Sequence, residues 1–166
     1  FFFEELMPFV EKKYRIKAEK KYRAISGLSM GGDGTFTYAL HHPELFSSAC
    51  PLSAGTGPIN IDSARARLKR ENNAISDSSI TAYYNRQSVL ALVNAVPDNL
   101  KKSVRWYMDC GDDDFLYEGN SLVHIAMRKK DIPHEFRIRD GGHNWTYWRV
   151  ALPEVLQFVS QAFHQY

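Results

Sequence analysis

The chain has 166 residues, enough for one domain with a real hydrophobic core. Hydrophobic residues make up 44% and charged residues 24%, ordinary for a globular protein, and the net charge of +2 gives no electrostatic case for nucleic acid or an anionic membrane. No apolar run approaches the roughly 20 residues needed to span a bilayer.

The opening "FFFEELMPFVEKKY" has no initiator methionine and no charged n-region, so it does not read as a signal peptide. Its three phenylalanines suggest a chain cut from something longer. Phe3, Leu6, Met7, Val10 and Tyr14 recur at helical spacing and predict a core-facing helix, with Pro8 tolerated near its first turn. Residues 22–26 read as a short buried strand, and residues 30–41 as a helix with Phe36, Ala39 and Leu40 on one side. A second short strand lies within 47–55. Residues 56–87 read as polar and irregular, with a helix around 63–71 whose "RARLKRE" run is a solvated face.

A short helix is predicted around 88–95, ending before Pro97. "VRWYMDC" (104–110) is a third strand, stopped by Gly111 and three aspartates. A helix at 120–130 leads to the alternating strand "HEFRIRD" (134–140), and a helix over about 146–163 closes the chain. Strands alternate with helices, so the fold class is α/β with a largely parallel sheet, in one domain spanning 1–166. Cys50 and Cys110 lack metal-ligand spacing and read as small hydrophobes, with a single bridge between them left open.

Within "RAISGLSMGGDGTF" (23–36), Gly27-Leu28-Ser29-Met30-Gly31 fits the G-x-S-x-G nucleophile elbow, with a strand before it and a helix after. A serine held in a strained turn needs small neighbours so that backbone can approach closely. The amide N–H of Met30, at the helix start, is placed to stabilise an oxyanion. A helix-capping turn is the plainer alternative.

A serine hydroxyl is a weak nucleophile without a base, and the base needs an orienting acid. On such a sheet both follow later strands, in the order Ser, acid, His. "DGGHNW" puts His143 in a glycine-rich loop directly after a strand. His41 and His42 close a helix, His124 lies on one, and His134 and His164 sit at element ends, all with structural readings. "CGDDDF" offers Asp112, Asp113 and Asp114 as the acid, with Asp109 and Asp140 weaker candidates.

Together, G-L-S-M-G-G, G-x-x-D and G-G-H-x-W-x-x-W resemble the esterase D-like, putative esterase branch of the α/β-hydrolases. "IPHEFRIRDGGHNWTYW" is the most specific part. Feruloyl, acetylxylan and tributyrin esterases, S-formylglutathione hydrolases and mycolyltransferases belong to this branch. The resemblance implies a Ser29–His143–Asp114 triad, one oxyanion amide from Met30, and no metal or organic cofactor. It also implies strands and at least one helix ahead of residue 1, carrying part of the sheet and the second oxyanion donor. That absent N-terminal segment is therefore an expected partner.

The expected substrate is a small-molecule or oligosaccharide ester. Feruloyl or acetyl esters of carbohydrate rank first by analogy with the family, which also implies a periplasmic or secreted setting. Leu28, Tyr84 and Trp145 are the candidate substrate contacts. Tyr83, Trp106 and Tyr107 are further aromatics near the expected site, and Trp148 reads as packing the last helix. Residues 56–87 are expected to form a lid-like insertion. An acyltransferase of the mycolyltransferase type and a catalytically silent carbohydrate-binding module on the same fold are the alternatives.

Overall fold

The computed structural model describes residues 1–71 and 74–164. Four parallel strands, β1 (Ala24–Leu28), β2 (Ser48–Leu52), β3 (Arg105–Gly111) and β4 (His134–Arg139), pair side by side in sequence order. Helix α1 (Met7–Lys13) precedes β1, and α2 (Met30–His41) joins β1 to β2. Between β2 and β3 lie α3 (Ile61–Glu71), α4 (Asp77–Gln87), α5 (Val89–Ala95) and α6 (Asp98–Lys101). Helix α7 (Tyr117–Lys129) joins β3 to β4, and α8 (Trp145–His164) follows β4.

Strand alternation decides which helices cover which face. From β3, Trp106 and Met108 point into a core with Phe36 and Leu40 of α2, Val89 and Val93 of α5, and Val123 and Met127 of α7. Tyr107 points the other way, against Val155 and Phe158 of α8, together with Cys50 and Leu52. Every residue of β2 is buried, and so is β3 beyond Arg105, as expected for inner strands of a parallel sheet covered on both faces. Each large apolar side chain so buried contributes about 1.5–3 kcal/mol. Ser76 and Ser88 cap α4 and α5, accepting from the backbone N–H of Ser79 and Ala91.

Several expectations change. The opening segment is helical, but nothing in it is fully buried, and Leu6 and Tyr14 are exposed. Phe2, Met7 and Val10 instead line an open apolar groove of about 500 Å³ with Phe46, Val159 and Phe163. Residues 56–87 are mostly helical, not irregular. The helical period is hard to read there because α3 and α4 bury little beyond Ala64 and Ile80. A 3₁₀ turn at Lys20–Tyr22 delays the first strand to Ala24, and α6 was not anticipated. Cys50 and Cys110 are free, buried thiols. Cys50 faces α8 and alternation turns Cys110 to the opposite face, which leaves no geometry for a bridge. Burial pushes both thiols up to about 12.

Candidate active site

The carboxyl ends of the strands gather the candidate residues at one edge of the sheet, where open α/β sheets bind their ligands. Ser29 follows β1 directly, with φ 57° and ψ −117°, a conformation a non-glycine residue rarely adopts. The turn is held at both of its backbone groups. Ser29 N–H donates to the Leu52 carbonyl at 3.0 Å, and its own carbonyl accepts from Asp33 and Gly55.

The glycines around Ser29 have separate tasks. A Cβ on Gly27 would lie 2.3 Å from the carbonyl oxygen of Gly31, and one on Gly32 would lie 2.7 Å from Ala54. Beside Gly31 there is open space. Close approach therefore demands glycine at 27 and 32, not at 31.

Three side chains from three different strand ends form a continuous hydrogen-bonded line. The Nε2 of His143 is 2.9 Å from the Ser29 hydroxyl, and its Nδ1 is 2.9 and 3.1 Å from the two carboxylate oxygens of Asp114. A carboxylate only accepts, so the ring proton belongs on Nδ1, leaving Nε2 free to accept from the hydroxyl. The Asp114 side chain is fully buried, that of His143 is 18% exposed, and Asp114 also accepts from the backbone N–H of Leu116 at 2.9 Å. Chemically, such a line can draw a proton off the serine and hold it on the imidazole.

The other aspartates do different jobs. Asp112 accepts from the backbone N–H of Gly141 at 3.0 Å, and Asp113 N–H donates to the Gly141 carbonyl, tying the two loops together. Asp109 is buried among Tyr107, Tyr147 and Arg139, away from the imidazole. Asp112, Asp113 and Asp140 are exposed, with oxygens within 4.8 Å of one another. They are the single grouping of three potential metal ligands among the described residues.

Met30 opens α2, so its N–H has no acceptor within the helix, and its side chain is 87% exposed. The imidazole of His143 lies between two rings: Trp148 meets it edge-on at 4.9 Å, and Phe115 lies 4.6 Å away. Trp148 is buried, while Phe115 and Trp145 are exposed. Phe115 escaped the sequence reading, although it directly follows Asp114. Trp106 and Tyr107 are core residues, which corrects their expected place near the site. Leu28 packs toward the α8-side core, and Tyr84, half-buried on α4, makes no side-chain hydrogen bond or ring contact with Ser29, Asp114 or His143. Asp33, in the first turn of α2, is lifted above the usual carboxylate range by burial, against the pull of Arg67 on α3 and a hydrogen bond from Thr37.

A strained serine at a strand-to-helix turn, facing a histidine and a buried carboxylate from later parallel strands, is an arrangement of α/β-hydrolase type. Residues 1–159 match the family described as Putative esterase, and the chain belongs to that family. It is similar to a solved ferulic acid esterase, at 38% identity and a TM-score of 0.79, covering 98% of this chain and 60% of that one. An acetyl esterase of Caldicellulosiruptor saccharolyticus is 24% identical over 95% of this chain and 61% of its own length. Esterase Rv1288 of Mycobacterium tuberculosis is 38% identical over 86% of this chain and 35% of its own length. The chain thus spans about three fifths or less of these relatives.

Proposed function

We propose that the chain carries the nucleophile, base and acid of a serine carboxylester hydrolase. The unbroken hydrogen-bonded line Ser29–His143–Asp114 carries this reading. Ser29 attacks the ester carbonyl as His143 takes its proton on Nε2. Asp114 fixes the imidazole tautomer and stabilises the imidazolium. The tetrahedral oxyanion faces the N–H of Met30 and collapses, the alcohol leaving with the proton from His143. Water, deprotonated by the same histidine, then releases the acid from the acyl-serine and restores the site.

The substrate class we favour is a feruloyl or acetyl ester of carbohydrate. Similarity to a ferulic acid esterase and to an acetyl esterase supports it, and so does exposed Phe115, whose ring lies beside the imidazole, while exposed Trp145 meets Trp148 edge-on. Helices α3 and α4 are the segment we assign as a lid-like insertion. Arg67 of α3 is close enough to act on Asp33, one turn beyond the nucleophile.

Intact mass after incubation with a small fluorophosphonate tests the core of this reading. The expected result is one adduct on wild type and none on Ser29→Ala, followed by hydrolysis of methyl ferulate or acetylated xylan. An adduct that persists in Ser29→Ala removes Ser29 as the nucleophile. Acyl transfer to an added sugar in preference to water would redirect the assignment to an acyltransferase.

A further inference from the structure

We propose that Asp109 is a positioning residue for His143, its single buried carboxylate clamping both ends of the loop that carries the histidine. The inference rests on the esterase reading above, since it concerns how the general base is held. Residues 140–144 connect β4 to α8. Arg139, the last residue of β4, and Tyr147, in the first turn of α8, therefore stand at the two ends of the loop.

Both end residues reach Asp109, whose side chain is fully buried on β3. Its Oδ1 accepts from the Tyr147 hydroxyl at 2.5 Å, and its Oδ2 is ion-paired with the Arg139 guanidinium. Arg139 is held from behind by Glu154 of α8 at 2.6 Å. The Tyr107 hydroxyl lies 3.0 Å from both Asp109 Oδ2 and Glu154 Oε2 and donates to one at a time. The Asp109 carboxylate hydrogen-bonds to Tyr107, Arg139 and Tyr147 and to none of Ser29, Asp114 or His143, so it acts through the loop.

The transmission is steric. The Tyr147 ring lies against Gly141, where a Cβ would come within 2.8 Å of its Cδ2, and against Gly111, where a Cβ would lie 3.2 Å from its Cε2. Gly141, at φ 136°, is two residues from His143, and its carbonyl and N–H are bound to the Asp112–Asp113 backbone and side chain. The position of the Tyr147 hydroxyl thus fixes the ring, the ring fixes Gly141, and Gly141 sets where His143 emerges between Ser29 and Asp114.

Stability alone does not account for a fully buried, ion-paired carboxylate. A buried ion pair is weak evidence for stability, because well-packed apolar residues of similar volume often serve as well or better. What the network adds is direction, since the Tyr147 hydroxyl and the Arg139 guanidinium each bind a different oxygen of Asp109. A misplacement of 1 Å in a catalytic group costs about 10²-fold in rate.

The test is Tyr147→Phe in the full-length protein, read by ¹⁵N NMR of the His143 ring and by hydrolysis of p-nitrophenyl acetate. Wild type is expected to hold its proton on Nδ1. Tyr147→Phe keeps the ring against Gly141 but frees it from Asp109. It should mix in the Nε2–H tautomer and lower kcat about ten- to a hundred-fold, with KM changed by less than about two-fold. Asp109→Asn should move both readouts further in the same direction, and if it does not fold, Tyr147→Phe decides alone. A Tyr147→Phe protein that is merely less stable, with the wild-type tautomer and kcat, overturns the clamp. If His143→Ala keeps wild-type turnover, the triad reading itself falls and the clamp falls with it; loss in His143→Ala beside an unaltered Tyr147→Phe removes the clamp alone.

Discussion

The indole Nε1 of Trp148 donates a 3.0 Å hydrogen bond to the hydroxyl of Ser53 while the same ring meets the imidazole of His143 edge-on. The segment after β2, which supplies no member of the hydrogen-bonded line, thereby braces the histidine at second hand. Ser53→Ala leaves a buried indole N–H with no acceptor, at a cost of about 1–3 kcal/mol. Urea unfolding should show that loss, and an unchanged midpoint would mean that the indole has another acceptor.

The two glycines flanking Ser29 should answer differently to the same substitution. Gly27→Ala drives a methyl group into the Gly31 carbonyl, so the elbow cannot close. The protein should lose fluorophosphonate labelling or fail to accumulate in soluble form. Gly31→Ala meets nothing within 4 Å and sits inside α2, where alanine is favoured by about 0.5–1 kcal/mol over glycine. It should label normally and melt no lower than wild type. Equal damage from both would contradict the asymmetry.

Asp33 gives a pH dependence with a definite sign. Burial raises its folded pKa above the unfolded one, so the native state holds an extra proton between the two values. Stability then falls as pH rises through that window, and the whole cost is present at neutral pH. Asp33→Asn should raise the thermal midpoint at pH 7, and the gain should shrink on acidification and vanish below about pH 3, where the carboxyl is protonated in both states. A gain independent of pH would point to packing instead.

Phe115 should discriminate between acyl groups. Its exposed ring lies 4.6 Å from the imidazole, within reach of an aromatic acid bound at Ser29. Aromatic pairs are worth about 0.5–1.5 kcal/mol, so Phe115→Ala should lower kcat/KM for methyl ferulate by about two- to ten-fold. Turnover of a simple acetyl ester should hold within about two-fold of wild type, since an acetyl group offers no ring to stack. Matching losses on both substrates would assign Phe115 to the histidine rather than to the acyl group.

The parts of the site written in local sequence were legible; those set by pairing across the sheet were not. Ser29 and His143 each sit in a run of small residues directly beyond a strand, a pattern visible within ten residues. Asp114 was not separable from Asp112 and Asp113 by composition. Only the turn after Gly111, closed by Asp114 N–H to the Gly111 carbonyl, decides which of the three points inward. Trp106 and Tyr107 lie on opposite faces of β3, and nothing in "VRWYMDC" says that both faces are covered. The partnership of Asp109 with Tyr147, 38 residues away, depends on β3 and α8 meeting in space and leaves no local trace.

Ser29 and His143 are 114 residues apart along the chain, and Asp114 arrives from a strand between them. No hairpin or helix pair can bring them together ahead of the rest. Loop closure over such a separation is repaid only once β1, β3 and β4 have aligned, so the hydrogen-bonded line through Ser29 is a late and collective property of folding. The serine is therefore a built-in reporter of cooperativity. Local melting at any of the three strand ends should silence it while most of the secondary structure survives, and its reactivity should follow the population of fully native molecules more faithfully than any spectrum of helix content.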